Sequence, residues 1–286
     1  MPDTTSIPEG DPTPAPAVEP VAEHPATPRY TLPPRPKSTF LFVILILAGM
    51  FAAAWFGQRG INWFLVAITM AVLLAVLGWH ITGRPGGIFI NERNLMSLSR
   101  FQMAIWTVII LSGFFTMAIS RIKAGSDDPL AIALDWHLWA LMGISTASLI
   151  GSPLVLSGKK DQQPDPGAVT KAAETLKENR TEIDRNREGV LYSNPDITCA
   201  SFIDMFQGDE VQNTTHLDLA KVQMFLFTLI AATAYSVTLC TMFNLASNAP
   251  GGLEAMPGLS EGLIAILGIS HAGFLASKGV AHTKTK

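Results

Sequence analysis

Two short runs of the chain carry the residue types of nucleophilic catalysis. Gly-Ile-Ser-Thr-Ala surrounds Ser145 and Gly-Ile-Ser-His-Ala surrounds Ser270, and both approximate the G-x-S-x-G pattern of serine hydrolases. That chemistry requires a serine on a strand-to-helix turn with a base beside it. Both serines instead fall in helix-like runs, and His271 would project about 100° away from Ser270 around a helix. We therefore expect no enzyme activity and assign no catalytic residue; a membrane hydrolase is the least favoured alternative.

The elements that carry these serines are predicted membrane spans. Charged residues make up 15% of the chain, against roughly 25% in soluble domains, while 48% of residues are apolar and the mean hydropathy is +0.31. Six windows contain no Lys, Arg, Asp or Glu: 39–57, 62–82, 102–120, 136–157, 222–246 and 262–277. A helix needs roughly 20 apolar residues to cross about 30 Å of hydrocarbon, and lipid satisfies no exposed backbone groups. The sequence predicts an all-α integral membrane protein with six transmembrane helices.

Basic residues are distributed unequally between the two predicted sides. Both tails and the second and fourth loops carry seventeen of the Lys and Arg residues, and the opposite side carries three. Because cytoplasmic flanks carry the basic excess, we expect both termini in the cytoplasm and the protein in the plasma (cytoplasmic) membrane. The net charge of −3 gives no basic footprint, so we expect a lipid bilayer and no nucleic acid as partner. Without a Cys/His cluster, we expect neither a metal nor another cofactor.

The chain also contains an internal repeat. LSRFQMAIWT at 98–107 matches LAKVQMFLFT at 219–228, and LMGISTAS at 141–148 matches ILGISHAG at 266–273. Two matches in the same order predict a duplicated two-helix unit, formed by spans three and four and again by spans five and six. Both units begin on the same side, so the duplication is parallel and its axis lies along the membrane normal. The chain then divides into a disordered Pro-rich tail (1–38), a transmembrane hairpin (39–82), a first repeat unit (83–157), a cytoplasmic helical loop (158–221) and a second repeat unit with a short basic tail (222–286).

Small residues recur every four positions along spans four and six. They are Gly143, Ala147 and Gly151 in the fourth span and Gly268, Ala272 and Ala276 in the sixth. Such faces let neighbouring backbones approach closely, so we expect these two helices to pack through them. Ser145 and Ser270 lie near mid-membrane, where each could bond across the contact for about 0.6–2 kcal/mol.

Polar residues recur where spans three and five leave the cytoplasm. Arg100 and Lys221 occupy equivalent positions, as do Gln102 and Gln223. We interpret the two bases as interfacial anchors whose stems reach the headgroups, and the glutamines as helix-to-helix bonding groups. The alternative is a paired polar vestibule that opens to the cytoplasm.

His271 is an ionisable group at membrane depth, which makes it a functional candidate. Its repeat equivalent is Thr146, and no Asp, Glu, Lys or Arg lies mid-membrane to partner it. A neutral histidine bonded to a neighbouring helix is therefore favoured over a titrating proton relay. The same absence disfavours an ion-coupled transporter.

The fourth loop carries the largest soluble segment. Apolar residues recur there every seven positions, at Val169, Leu176, Ile183 and Val190. This spacing is typical of a short polar coiled coil, although a solvated helix with one apolar stripe fits as well. A second helix is expected to start at Pro195 and Asp196 and to end near Gly208.

These features favour a non-enzymatic membrane anchor or scaffold that holds a partner through its tail and loop. We expect the partner, or a second copy of the chain, to bind residues 158–221. The alternative is a small channel or transporter with a pathway between the two repeats or between subunits, but the apolar spans supply little polar lining.

Overall fold

The computed structural model describes residues 39–57, 61–245 and 253–285. The Pro-rich tail over 1–38, predicted to be disordered, lies outside the described residues. The described part contains no β-strand, and its α-helices are α1 (Thr39–Phe56), α2 (Ile61–Thr82), α3 (Leu98–Lys123), α4 (Trp136–Ser157), α5 (Pro166–Leu176), α6 (Arg180–Asn186), α7 (Leu219–Leu245) and α8 (Glu261–Gly279). Six of these, α1 to α4 with α7 and α8, are long and apolar enough to span a membrane. The prediction of an all-helical chain with six spans is confirmed in this form.

α3 is the most enclosed of the six long helices. It packs against α2, α4 and α7, and half of its most apolar window is buried. Trp106 on α3, Leu141 on α4 and Leu239 on α7 belong to one continuous apolar core. α1 contributes little to that core because Ala54 is its single buried residue, and its neighbours are α2 and α3. α1 therefore lies at the periphery of the bundle, whereas α2 reaches the core through Trp63.

Helices that carry the matching sequence segments lie against one another. α3 packs on α7, and α4 packs on α8. α7 and α8 also pack together, as do α3 and α4. The bundle thus brings both 98–107 and 219–228 to the same end of the molecule.

We call this end the loop side; α3 and α7 begin there, and α4 and α8 end there. Residues 83–97, 158–218 and 280–285 fold over it, and we call them the loop-side module. The module has an apolar core of its own, formed by Leu95, Val169, Ala172, Ala173, Ile183, Tyr192 and Val211. A folded module therefore takes the place of an extended connection between α4 and α7.

The apolar residues spaced seven apart in this module form neither a coiled coil nor one stripe of a single solvated helix. The helix stops at Lys177, whose φ of 57° is left-handed, and a separate helix α6 follows. Val169, Ile183 and Val190 are buried within their own chain, at 2%, 2% and 1% exposure. The coiled coil and the solvated single helix are both wrong, because the break folds the stripe inward. The expected second helix is also wrong: after Asp196, which caps the first turn, the chain forms two 3₁₀ turns at Ile197–Cys199 and Phe202–Met205.

Candidate functional site

A buried ion network joins the loop-side module to the bundle. The carboxylate oxygens of Asp209 form ion pairs with three basic side chains. The N···O distances are 2.6 Å to Arg93, 2.6 Å to Lys278 and 3.0 Å to Lys221. The four side chains are 5–11% exposed. One carboxylate therefore holds three cations out of reach of bulk water.

Each member of this network comes from a different part of the fold. Arg93 lies just before α3 and also donates to the carbonyls of Tyr192 at 3.0 Å and Asp209 at 2.9 Å. Lys221 lies in the first turn of α7, where Asp218 caps the helix by accepting from the Ala220 amide at 3.0 Å. Lys278 lies in the last turn of α8. The long side chains of these bases let two helix ends and the segment before α3 converge on one loop residue.

A second buried pair lies directly beside the first. Lys159 donates to Glu210 at 2.6 Å and to the carbonyl of Val280 at 2.6 Å. The other oxygen of Glu210 accepts the amides of His282 at 3.0 Å and Thr283 at 2.5 Å. Glu210 therefore ties the segment after α8 onto the module.

The charges of the network favour different protonation states at two neighbouring carboxyls. Burial alone would raise the pKa of Asp209, but Lys221, Lys278 and Arg93 hold that pKa well below its ordinary value. Burial raises the pKa of Asp204, although the amides of Ser201 and Met96 donate to its Oδ2 at 2.8 Å and 3.1 Å. Asp209 is thus a fixed negative charge, whereas ionised Asp204 carries a burial cost.

A cavity of about 740 Å³ opens beside this network, between α3 and α4. Its polar end is lined by the basic side chains Arg93, Arg100, Lys160, Lys221 and Lys278, with the carboxyls of Glu92, Asp204 and Asp209. Its other end is lined by apolar side chains, including Met103 and Ala104 on α3 and Leu149, Ile150 and Leu154 on α4. The cavity therefore changes from charged to apolar along the bundle axis.

The predicted polar pair does not form two equivalent sites. Arg100 pairs at the surface with Glu92 at 2.8 Å, whereas its equivalent Lys221 is buried in the network. Gln102 is fully buried, donating to the Met224 carbonyl at 3.3 Å and to the Thr228 hydroxyl. Gln223 is exposed. A helix-to-helix amide bond is present for Gln102, between α3 and α7, so the two matching segments have different surroundings at this end.

The small-residue faces lie mostly outside the contact between α4 and α8. Gly143 and Ala147 are exposed, and a Cβ added at Gly143 would meet no atom within 4 Å. Ala272 and Ala276 are also exposed. Gly151 does approach Leu275, and Gly268 approaches Ile144, at Cβ distances of 3.3 and 3.8 Å. The small-residue stripe is therefore an edge of the contact between α4 and α8, and the expected packing through the whole stripe stays a prediction.

Ser145 and Ser270 are buried, yet neither hydroxyl has a hydrogen-bond partner among the described residues. The polar bond between α4 and α8 is made elsewhere. Ser148 Oγ lies 2.6 Å from His271 Nδ1, while the same ring's Nε2 has no partner in the described part. The structure thus places His271 against a neighbouring helix, and its protonation state stays a prediction. Both side chains are buried, and neither lines the cavity.

Comparisons with protein-family models, with curated proteins and with solved structures find no match.

The sequence reading missed the ion network and the Ser148–His271 pair. Asp209 is 116 residues from Arg93 and 69 from Lys278, and Ser148 is 123 residues from His271. No short sequence pattern relates residues at such separations. One signal was present: the acidic pair Asp209 and Glu210 lies a short distance before α7, where anions can meet the bases at the span ends.

Proposed function

We propose that the protein is a non-enzymatic membrane scaffold whose bundle holds the loop-side module in a fixed position for a partner. The observation that carries the proposal is the ion network centred on Asp209. It joins two segments of the module through Arg93, and it connects the module to α7 through Lys221 and to α8 through Lys278. A module that served as a mere connection would need no such attachment.

The interior of the bundle supports a scaffold over a pathway through one chain. Some of its buried polar groups bond one another in isolated pairs, such as Gln102 with Thr228 and Ser148 with His271. Others, such as the Ser145 and Ser270 hydroxyls, have no hydrogen-bond partner within the described residues. Fully buried apolar side chains lie in the same interior, among them Trp106, Met117, Leu141, Met224, Leu239 and Leu267. A conducting route would require polar lining that continues across about 30 Å. A pore between subunits is the alternative.

The parallel duplication belongs to the same proposal. The packing of α3 on α7 and of α4 on α8 is the arrangement expected when two copies of a helix pair face each other across an axis along the membrane normal. We place the loop side in the cytoplasm of the plasma membrane because it carries the basic excess. Cysteines introduced at Gln163 and at Ser126, in a cysteine-free background, should react from the cytoplasmic and the external side respectively. Labelling of position 163 from outside intact cells would reverse this orientation.

The α5–α6 hairpin offers the partner surface. Its apolar side faces the core of the module, and its other side is exposed and carries both signs of charge, including Lys171 and Glu174 on α5 and Arg185 on α6. Mixed exposed charge of this kind suits a specific protein partner better than a bare membrane surface.

Site-specific photo-crosslinking tests the scaffold. A photoreactive residue at Glu174 or Arg185, in cells that naturally produce the protein, should give adducts of discrete mass. The matched control at Ile269, which is 71% exposed on α8, should not. An adduct of twice the chain mass would identify a second copy as the partner. Absence of adducts at both hairpin positions would contradict the proposal.

Flux measurements on the reconstituted full-length chain complete the test. We expect no passage of ions or small solutes through proteoliposomes. Flux that is reduced by Gln102→Leu and Gln223→Leu would overturn the scaffold in favour of a pore.

A further inference from the structure

We infer that the cavity between α3 and α4 binds an anionic phospholipid from the leaflet on the loop side, with its phosphate among the basic residues and an acyl chain along the apolar wall. The volume of about 740 Å³ lies in the range of ligand sites, roughly 300–1,000 Å³. This inference goes beyond the scaffold proposal, and it holds equally if the protein forms a pore.

The charge at the polar end calls for an anion. Arg93, Lys221 and Lys278 share the single carboxylate of Asp209, and all four groups line the cavity. Their side chains are about nine-tenths buried or more, so water screens little of the remaining positive charge. The other buried carboxyl of the lining, Asp204, offsets this excess poorly because burial raises its pKa. A phosphate close to the triad would supply the missing negative charge.

Two further bases frame the mouth of the cavity. Arg100 and Lys160 are 35% and 48% exposed, and each pairs with a partly exposed glutamate on the surface. Such pairs contribute little to stability, so both bases are able to turn toward a bound phosphate. An arginine guanidinium matches phosphate with paired N–H donors.

The order of residues along both helices matches the order of groups in a phospholipid. On α3, Arg100 comes first at the loop side, and Met103 and Ala104 follow deeper in the bundle. On α4, which runs the other way, Ile150 and Leu154 lie deeper and are followed by Lys160 beyond the helix end. Ile150 and Leu154 are 54% and 66% exposed, so the apolar wall faces the bilayer.

This lateral opening selects a lipid over a soluble anion. A free phosphate would use the basic end but would leave the wall of α3 and α4 unoccupied. An acyl chain that covers that wall gains about 0.8 kcal/mol for each CH₂ removed from water. Because this gain is measured against water and is the same for any lipid, recognition of the headgroup must supply the preference for one lipid over another. Basic pockets between membrane helices on the cytoplasmic side bind anionic headgroups by this combination.

The experiment measures lipid retention by the purified full-length protein. Detergent-solubilised protein is titrated with phosphatidylglycerol, with phosphatidylcholine of the same acyl chains and with inorganic phosphate, and bound molecules are counted by native mass spectrometry. We expect one phosphatidylglycerol to bind saturably and at least tenfold more tightly than phosphatidylcholine. Equal retention of both lipids would overturn the inference. Competition by millimolar inorganic phosphate would also overturn it, by identifying a soluble anion as the ligand.

Two kinds of variant locate the binding. Arg100→Gln and Lys160→Gln should each weaken phosphatidylglycerol binding about tenfold, the effect of losing one charged hydrogen bond. Arg185→Gln removes an exposed base on α6 and should change nothing. Ala104→Phe fills the apolar part without altering a charge, and should reduce retention of the lipid in a chain that keeps its helical content. Equal loss in all variants, or none in any, would place the lipid outside the cavity.

Discussion

Replacement of Asp209 by asparagine should release the loop-side module from the bundle. Asparagine keeps the size of the side chain and one acceptor oxygen, so the change removes a charge with little loss of volume. The substitution leaves Arg93, Lys221 and Lys278 with no balancing carboxylate in a site where these side chains are 5–7% exposed. Removing one partner of a buried ion pair costs about 3–5 kcal/mol, because the remaining charge is left buried and unpaired.

Hydrogen exchange at two backbone amides reports this opening. The Tyr192 amide donates to the Asp209 carbonyl at 3.0 Å, and the Val211 amide donates to the Val190 carbonyl at 2.9 Å. Since each 1.4 kcal/mol changes an equilibrium tenfold, Asp209→Asn should speed exchange at both amides roughly a hundred- to four-thousand-fold. Amides of α3 should be affected far less, because the helix is held by its own packing.

The matched control is Glu92→Gln, which breaks the pair with Arg100. That pair lies at the surface, with Glu92 71% exposed, and pairs of this kind contribute about 0–1 kcal/mol. Adding Lys278→Met to Asp209→Asn removes one unpaired cation and should restore part of the protection, with a coupling of about 0.5–3 kcal/mol. Asp209→Asn that speeds exchange no more than Glu92→Gln would refute the view that the network holds the module.

Three further tests concern separate features of the structure. Thr228→Val should destabilise the chain by about 0.5–1.5 kcal/mol in thermal unfolding, because the buried Gln102 amide loses its bond to the Thr228 hydroxyl and keeps the bond to the Met224 carbonyl at 3.3 Å. Adding Gln102→Leu should recover most of the loss. The raised pKa of Asp204 means that its ionised form opposes folding. The free energy of unfolding should therefore rise as the pH falls through that raised pKa toward the ordinary value of 3.8. Asp204→Asn should abolish this part of the pH dependence of the melting temperature. Gly87→Ala should lower the free energy of unfolding by about 1–3 kcal/mol or more, because the added Cβ would lie 2.8 Å from a backbone oxygen. At Gly143 an added Cβ would meet no atom within 4 Å, so Gly143→Ala should leave the melting temperature of the monomer unchanged.

The spans could be predicted because the membrane imposes a simple rule on sequence. The charge-free windows at 39–57 and 136–157 differ from α1 and α4 by at most one residue, since lipid excludes charge over the whole length of a helix. The windows of α3 and α7 were too short by three or four residues at the loop side. There the helices continue through Arg100 and Lys221, which the ends of a membrane helix tolerate.

The loop-side module could not be read in the same way. Its heptad at Val169 and Ile183 has helical spacing, but periodicity alone does not reveal that Lys177 turns the chain back on itself. The ion network is harder still to predict, because it depends on where the segment before α3 and the ends of α7 and α8 converge. Basic residues at the ends of membrane helices are already explained by the excess of Lys and Arg on the cytoplasmic side. Their number therefore does not indicate that Lys221 and Lys278 share one carboxylate.

The composition of the network also orders the biosynthesis of the protein. Asp209 leaves the ribosome 69 residues before Lys278, so its carboxylate cannot form its ion pair with Lys278 until α8 has been synthesised. Glu210 likewise awaits the amides of His282 and Thr283. A chain that has formed α7 but not α8 therefore lacks the contacts of Asp209 with Lys278 and of Glu210 with the segment after α8. Closure of the network is thus a late step in folding, and it requires α8.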